Sequence, residues 1–521
     1  MIKQEPKKKL LFDLSTTRHP LPGCEEECRQ FKKLQQDLAE QFPSFFPDDL
    51  CQKTIVVIPS LTLDQAFLSK VDGALYYEER MLCLLMLLRM PRAQVIYVSS
   101  LPIDPVIVDY YLHLLPGITG SHARERLLMM SCYDISPQSL TQKILARPRL
   151  IERIKNSIPP WHVAHIACFN TTALEQTLAV RLGLPVYGCD PSLCYLGTKS
   201  GSRRLFIHLG LEVAPGIEFL HTANDVIHAV SGLKDMYPHL KKVVVKLNDG
   251  FSGDGNAIVE FPEGLSNLEM FEWVHHNLPE ALQPVAEGVT AADFLKKLLV
   301  MGGVVEAFIE GEEKYSPSVQ CRIDPLGKIE IISTHDQELN GQVFSGAHFP
   351  AREAYRNEIT ALAREVAEEL KTKGVIGRFG IDFITVKEET GWKHYAVEIN
   401  LRKGGTTHPF LMLQFLTNGH YDEETGVYHT ANGQARYYYA SDNVKKEQYK
   451  GLVPQDLINI AMFHGLHFDG ATQKGVVFHM IGALSQYGKM GIVCIGESAE
   501  EAVLYYQKTI EVLDAETCIV I

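Results

Sequence analysis

Short apolar runs alternate with helical patterns along the first third of the chain. KTIVVIPS (53–60), AQVIYVSS (93–100) and WHVAHIACFN (161–170) are apolar enough for buried strands. The run MLCLLMLLRM (81–90) is too short to cross a bilayer, is broken by Arg89, and reads as a buried helix. TTALEQTLAVRLGL supplies a second helix, and PVYG a short strand after it. This alternation predicts a parallel α/β layer over residues 1–190. No GxGxxG follows any of these strands, which argues against a dinucleotide site there.

The pattern changes after residue 190. KKVVVKLN, NAIVEF, GVVEAFIEG, PSVQCRID, KIEIIST, GRFGIDFITV and KHYAVEINLR predict a β-rich region of two α+β lobes, about 191–310 and 311–410. Between the last strands lies NEITALAREVAEELKTKG. Its Ile359, Leu362, Val366 and Leu370 recur at helical spacing, and Gly374 is placed to cap it. Residues 420–443 are polar and aromatic, reading as a hairpin or long loop that opens a C-terminal domain, 411–521. That domain adds the strands KGVVFHMIGAL and MGIVCIGES and a last helix. Ser498 at its N-cap with Glu501 three residues on predicts a capping box.

Composition narrows the class. With 521 residues, two to four domains are expected, and 46% hydrophobic against 22% charged residues is ordinary for a soluble protein. A net charge of −13 and a pI near 5.9 argue against a nucleic-acid partner held mainly by charge. Lys7, Lys8 and Lys9 form only a short basic cluster. The N-terminal stretch has no apolar core of signal-peptide length. Eleven scattered cysteines, without paired metal spacing, fit a reducing compartment. A cytoplasmic protein without a membrane partner is expected.

The candidate chemistry lies in the β-rich region. On KHYAVEINLR, Glu398, Asn400 and Arg402 share one strand face, opposite Tyr395, Val397, Ile399 and Leu401. Carboxylate and amide oxygens suit Mg²⁺, and a guanidinium suits a developing anion. Asp382 stands among Ile381, Phe383 and Ile384, where an unpaired carboxylate would be costly. Together with Glu398 and Asn400 it forms a metal-ligand set. VVVKLNDGFSGDGNAIVEF (243–261) ends a strand on Lys246 and turns through Gly250, Gly253 and Gly255, exposing backbone N–H groups to an anion. It is not a Walker loop, because no Lys-Ser/Thr follows the last glycine. In VVEAFIEGEEKYS, Glu306 and Ile309 bracket a hinge whose backbone can pair with an adenine edge, and Glu313 can take ribose hydroxyls. Lys199, Arg203 and Arg204 open a helix that could complete the phosphate site.

The order of these motifs resembles the ATP-grasp superfamily. The matching segments are TK…RRLFIHLGLEVAPG, VVVKLNDGFSGDGN, VEAFIEGEE and GIDF…VEINLR, across roughly residues 190–410. The resemblance is closest to ATP-grasp peptide ligases of the pheganomycin-synthesis type, through the C-terminal segment from Gly475 onward and through STHDQELNGQVFSGAHFPA. It implies two lobes clasping ATP behind an α/β pre-ATP-grasp domain. It also implies ATP contacts at Lys199, Lys246, Ser252, Gly253, Glu306, Ile309 and Glu313, and Mg²⁺ (or Mn²⁺) at Asp382, Glu398 and Asn400. Arg402 would stabilise an acyl phosphate, and His335, Asp336 and Gln337 would face the substrate. One departure stands out. Many amide ligases of this superfamily carry an arginine two residues before the first metal aspartate, whereas here that position is Gly380 and Arg378 lies two residues earlier. The expected activity is ATP-dependent joining of a carboxylate to an amine, with amino acids or short peptides as substrates and a homodimer as the expected assembly. The alternatives are a thiol or other acceptor, and an ATP-binding regulatory module without catalysis.

Overall fold

The computed structural model describes residues 19–46, 48–250, 253, 255–286 and 288–518. Lys7, Lys8, Lys9 and Ser252 lie outside these described residues.

The N-terminal layer is a parallel sheet of four strands: β1 (Lys53–Ile58), β2 (Ala93–Ser99), β3 (Leu127–Ser131) and β4 (Val163–Cys168), in the order β3-β2-β1-β4. β3 comes from LLMMS, which lacks β-branched residues; its place beside β2 rather than its own propensity makes it a strand. PVYG forms only a single bridge, Val186 to Ile166. The greasy run lies within a stretch of 3₁₀ turns, Ala74–Arg89, rather than an α-helix, and most of its side chains are buried.

A five-stranded antiparallel sheet follows: β5 (Gly216–Leu220), β6 (Lys242–Leu247), β7 (Asn256–Glu260), β8 (Gln283–Pro284) and β9 (Gly303–Ala307), in the order β5-β9-β6-β7-β8. Helices Ala223–Met236, Asn267–Ala281 and Ala291–Met301 accompany it, and Val226, Val230, Val274, Leu278, Phe294 and Leu298 bury against Val243, Val245, Val259 and Val305.

The third sheet begins with β10 (Lys314–Ile323), β11 (Ile329–Asn340), β12 (Val343–Phe349), β13 (Gly377–Glu388) and β14 (Gly391–Asn400). It continues through β15 (His420–Asp422), β16 (Val427–His429), β17 (Ala435–Lys445), β18 (Gly475–His479) and β19 (Lys489–Gly496). β12 pairs with β17, and β17 pairs with β19, so the C-terminal strands extend the sheet that carries the GIDF and VEIN motifs. One face of β10, β13 and β14 buries Val319, Cys321, Phe379, Ile381 and Ile399 against Ile359, Ala363, Val366 and Leu370 of helix Glu353–Thr372. That packing turns the alternate residues towards the opposite side. Gly374, at φ +86°, directly follows the cap residue Lys373 of this helix. At the last helix, Ser498 Oγ accepts from Glu501 N, but Glu501 Oε2 accepts from Glu497 N, so only half of the expected capping box forms. Among the described residues no helix is long and apolar enough to cross a membrane.

Gly377 joins the layers. It sits at φ +97°, and a Cβ there would lie 3.0 Å from Gly188 Cα. Gly377→Ala should cost about 1–3 kcal/mol through left-handed strain and that backbone contact. A fall in the urea midpoint at unchanged slope would register it; an unaltered midpoint would contradict the account.

Candidate active site

A cavity of about 500 Å³ opens where the three sheets meet. Its walls come from β6 and β9, from the polar face of β10, β13 and β14, and from Arg80 and Phe169 of the N-terminal layer.

On the polar face, Asp382 and Glu398 stand directly opposite each other on neighbouring strands, with Ser318 of β10 opposite Asp382 on its other side. Asn400 Nδ2 donates to Asp382 Oδ2 at 2.8 Å, and Gln337 Nε2 donates to Asp382 Oδ1 at 3.1 Å. Burial, reinforced by the Glu398 charge, pushes the Asp382 carboxyl up to about 6, although the Ser318 hydroxyl, Lys199 and Arg402 pull the other way. Lys199 forms an ion pair with Glu398. Its helix, Lys199–His208, starts where it does because Thr198 Oγ1 accepts from Gly201 N and because Asn248 accepts from the backbone N–H groups of Lys199 and Ser200. Ser202 Oγ then accepts from Ile399 N, fixing the helix against β14. Burial lowers the Arg402 pKa, opposed by Glu398 and Asp382, and its guanidinium lies 5.8 Å from the Phe169 ring centroid.

The donor set suits Mg²⁺. Two carboxylates and an amide offer hard oxygens, and two like charges held across neighbouring strands favour a divalent cation between them. Among the described residues no group of three or more His, Cys, Asp or Glu gathers to hold a metal. Mg²⁺ held by one or two protein carboxylates is usually completed by substrate phosphates and water.

On the other wall, Glu306 Oε2 accepts from Lys246 Nζ at 2.6 Å and Glu306 Oε1 accepts from Arg203 Nη1 at 3.0 Å. Burial would raise the Glu306 carboxyl, yet the two cations outweigh it and hold it below the usual range. The Glu306 carboxylate is thus committed to Lys246 and Arg203, and the cavity meets the following Ala307, Phe308 and Ile309. Arg203 is taken up by Glu306 and Glu218 and does not line the cavity.

The glycine-rich turn folds onto the β11–β12 turn. Gly253 sits at φ +86°, and a Cβ on it would lie 2.2 Å from Gln342 O. Gly250 and Gly255 approach each other so closely that a Cβ on Gly255 would lie 2.9 Å from Gly250 Cα. Asn256 Nδ2 donates to Gln342 Oε1 at 2.6 Å across the same contact.

Lys199, Lys246, Gly253, Glu306 and Ile309 thus share one cavity with Asp382, Glu398, Asn400, Arg402 and Gln337. Three expected residues fall outside it. Glu313 is exposed beyond the wall, although the next residues, Lys314 and Tyr315, line it. His335 is buried against Phe349 and bonded to Tyr438 Oη at 2.6 Å, with burial pushing its imidazole down to about 3. Asp336 points the other way, accepting from Tyr355 Oη at 2.6 Å and Arg352 N at 3.0 Å. Arg378 is also outside the cavity. At Gly380, a Cβ would lie 2.6 Å from Gln320 Nε2, so the Gln320 carboxamide fills the space that a side chain two residues before Asp382 would need. Ser318 and Gln320 are cavity residues that the motif reading missed, although their alternation in PSVQCRID is a visible signal. Arg80 and Asp442 also line it, and neither belongs to a motif.

Residues 192–287 and 278–424 match the family model described as IQCH-like, ATP-grasp, and residues 456–509 match the PGM1 C-terminal domain. Over residues 192–424 the chain is thus similar to ATP-grasp proteins. It is 27% identical over 458 residues to the L-propargylglycine–L-glutamate ligase of Streptantibioticus cattleyicolor, covering 86% of this chain and 92% of that protein. It is 21% identical over 517 residues to the IQ motif-containing protein H of Danio rerio, covering 89% of this chain, and it spans about half (48%) of that protein's length. Two solved structures share the fold. The biotin carboxylase domain of Hydrogenobacter thermophilus 2-oxoglutarate carboxylase, with MgADP and bicarbonate, has TM-score 0.55 and 13% identity, covering 88% of this chain and 89% of that one. The ADP complex of purK, an N5-carboxyaminoimidazole ribonucleotide synthetase, has TM-score 0.52 and 14% identity, covering 89% and 98%.

Glu306→Gln leaves Lys246 and Arg203 facing a neutral group in a buried setting. A loss of about 3–5 kcal/mol is expected. Chemical denaturation should show the stability drop before any substrate is added, and a variant as stable as the parent would refute the assigned pairing.

Proposed function

We propose that the protein is an ATP- and Mg²⁺-dependent carboxylate–amine ligase. The observation that carries this reading is one cavity joining the glycine-rich turn and the 306–309 hinge to Asp382, Glu398, Asn400 and Arg402. A substrate carboxylate oxygen bonds to the γ-phosphorus as the bond to ADP breaks. The amine nitrogen then attacks the acyl carbon, phosphate leaves, and an amide remains. Lys199 and Lys246 bind the phosphates, and the backbone of 307–309 meets the adenine edge. Arg402 holds the oxygens of the acyl phosphate, a charge that forms during reaction. Bound at Asp382, Glu398 and Asn400, Mg²⁺ supplies neutralisation of phosphate charge. The turn through Gly250, Gly253 and Gly255 shields the acyl phosphate from water.

The boundaries that go with this reading are an N-terminal domain to residue 190, an ATP-grasp domain over 191–410 and a C-terminal domain over 411–521. One relative is named as a ligase of two amino acids, which supports amino acids or short peptides as both substrates. Dependence on ATP favours the cytoplasm as the site of action, and a homodimer is part of the proposal.

The test is ADP release by the purified chain with Mg-ATP against amino acids and short peptides, singly and in pairs. ADP should rise only when a carboxylate and an amine are both present, and chelation of the metal should stop it. Asp382→Ala and Glu398→Ala should each lower kcat by about 10³-fold or more while keeping a cooperative melt. Full turnover in either variant would remove the metal assignment.

A further inference from the structure

Asn248 directly follows β6 and opens the glycine-rich turn. It is half-buried and does not line the cavity, yet four hydrogen bonds converge on it. Its carbonyl accepts from Lys199 N at 3.1 Å, and its Oδ1 accepts from Ser200 N at 2.9 Å. Its Nδ2 donates to Met301 O at 2.8 Å, and its backbone N donates to Gly302 O at 3.0 Å. The first two bonds meet N–H groups that open helix Lys199–His208, and the last two meet carbonyls that close helix Ala291–Met301. Such groups have no partner within their own helices. Gly302 leaves room for this arrangement, since a Cβ on it would lie 2.8 Å from Asn248 Nδ2.

The bonds decide how the Lys199 helix can meet a phosphate. Lys199 N and Ser200 N are taken by Asn248, and Gly201 N is taken by Thr198 Oγ1. A free helix N-terminus can bind an anion through its backbone. Here that route is closed, and the contact falls to the Lys199 ammonium alone. Its aim then depends on how firmly the first turn is held.

The two lysines assigned to the phosphates belong to different sheets. Lys246 is fixed within the β5–β9 sheet by Glu306, whose strand pairs with β6. Lys199 pairs with Glu398 of β14, and Ser202 Oγ of its helix accepts from Ile399 N at 3.0 Å. One turn into the helix, Arg203 reaches Glu306 and ties the helix body to β9. The first turn, which carries Lys199, meets β6 through Asn248. Lys246 and Asn248 stand two residues apart on one extended segment, so they share a side of it.

We propose that Asn248 is a positioning residue for phosphate binding: its carboxamide locks the first turn of the Lys199 helix to the stem of the glycine-rich turn and so sets the spacing of the Lys199 and Lys246 ammonium groups. This rests on the assignment of both lysines to the phosphates and adds what holds them in register. A diphosphate or triphosphate feels that spacing, whereas adenosine does not. The carboxamide is needed for its two ends together, one accepting from the helix start and one donating to Met301.

The full chain is titrated with Mg-ADP and with adenosine by calorimetry. Asn248→Ala should weaken Mg-ADP about 5-fold or more and leave adenosine within about twofold. Lys199→Gln should weaken Mg-ADP as well. Adding Asn248→Ala to Lys199→Gln should change the affinity by less than about twofold, because a residue that acts through another is not additive with it. Gly302→Ala, which pushes a methyl group against the carboxamide, should show the same selective loss and carries the test if Asn248→Ala does not fold.

Unchanged Mg-ADP affinity in Asn248→Ala overturns the proposal. Equal losses of adenosine and Mg-ADP make Asn248 a general support of the fold and overturn it too, as do losses that multiply in the double variant. In each case the parent still binds Mg-ADP and the nucleotide reading stands. Full Mg-ADP affinity in Lys199→Gln removes the phosphate assignment of Lys199 and this proposal with it. A parent chain that binds no Mg-ADP ends the ATP-dependent reading itself.

Discussion

Two carboxylates on adjacent strands, Asp382 and Glu398, face each other across β13 and β14, and the surrounding architecture answers that repulsion. Like charges at this spacing in a partly buried setting are unfavourable unless cations and donors surround them. Lys199 arrives from a helix start, Arg402 from just beyond β14, and the amides of Asn400 and Gln337 from either side. They come from three segments, the Lys199 helix, β11 and the end of β14, whose folding converges on one pair of residues. The Glu306 site mirrors this with the charges reversed, one carboxylate between two cations, and it stands on the opposite wall.

That convergence explains what could be read from the sequence. Asp382 among apolar neighbours and Glu398-x-Asn400 on an alternating strand are local anomalies, visible without any knowledge of the fold. The glycines of the 250–255 turn were legible as a need for backbone freedom. Their particular reasons were not: only Gly253 is left-handed, whereas Gly250 and Gly255 are required by mutual approach. Glu313, His335 and Asp336 were placed by motif resemblance, which carries sequence order but not the direction of a side chain. His335 shares the cavity-side row of the sheet with Ser318 and Asp382, yet Phe349 and Tyr438 cover it.

Other features lay beyond any local signal. Arg80 stands at the edge of a run whose greasiness announces only burial, and Asp442 sits in a polar stretch where a carboxylate is unremarkable. They meet as an ion pair between segments far apart in the chain, a contact that no periodicity encodes. The pairing of β12 with β17 carries the C-terminal strands into the sheet that bears Asp382 and Glu398, so the two are joined by a continuous hydrogen-bonded path. The Gln320 carboxamide beside Gly380 is a compensation of the same kind, since a missing arginine in one strand is matched by a polar side chain in its neighbour.

The division of the cavity follows from these distances along the chain. The wall that suits a nucleotide is built from strands contiguous in one region, with motifs close enough to be recognised together. The far end is assembled from a 3₁₀ stretch near residue 80, a glycine pair at Gly404 and Gly405, and a strand at Asp442. Residues drawn from three separate segments can change one at a time without disturbing the phosphate chemistry. For that reason the substrate was the least legible property of the sequence, while the chemistry was the most legible.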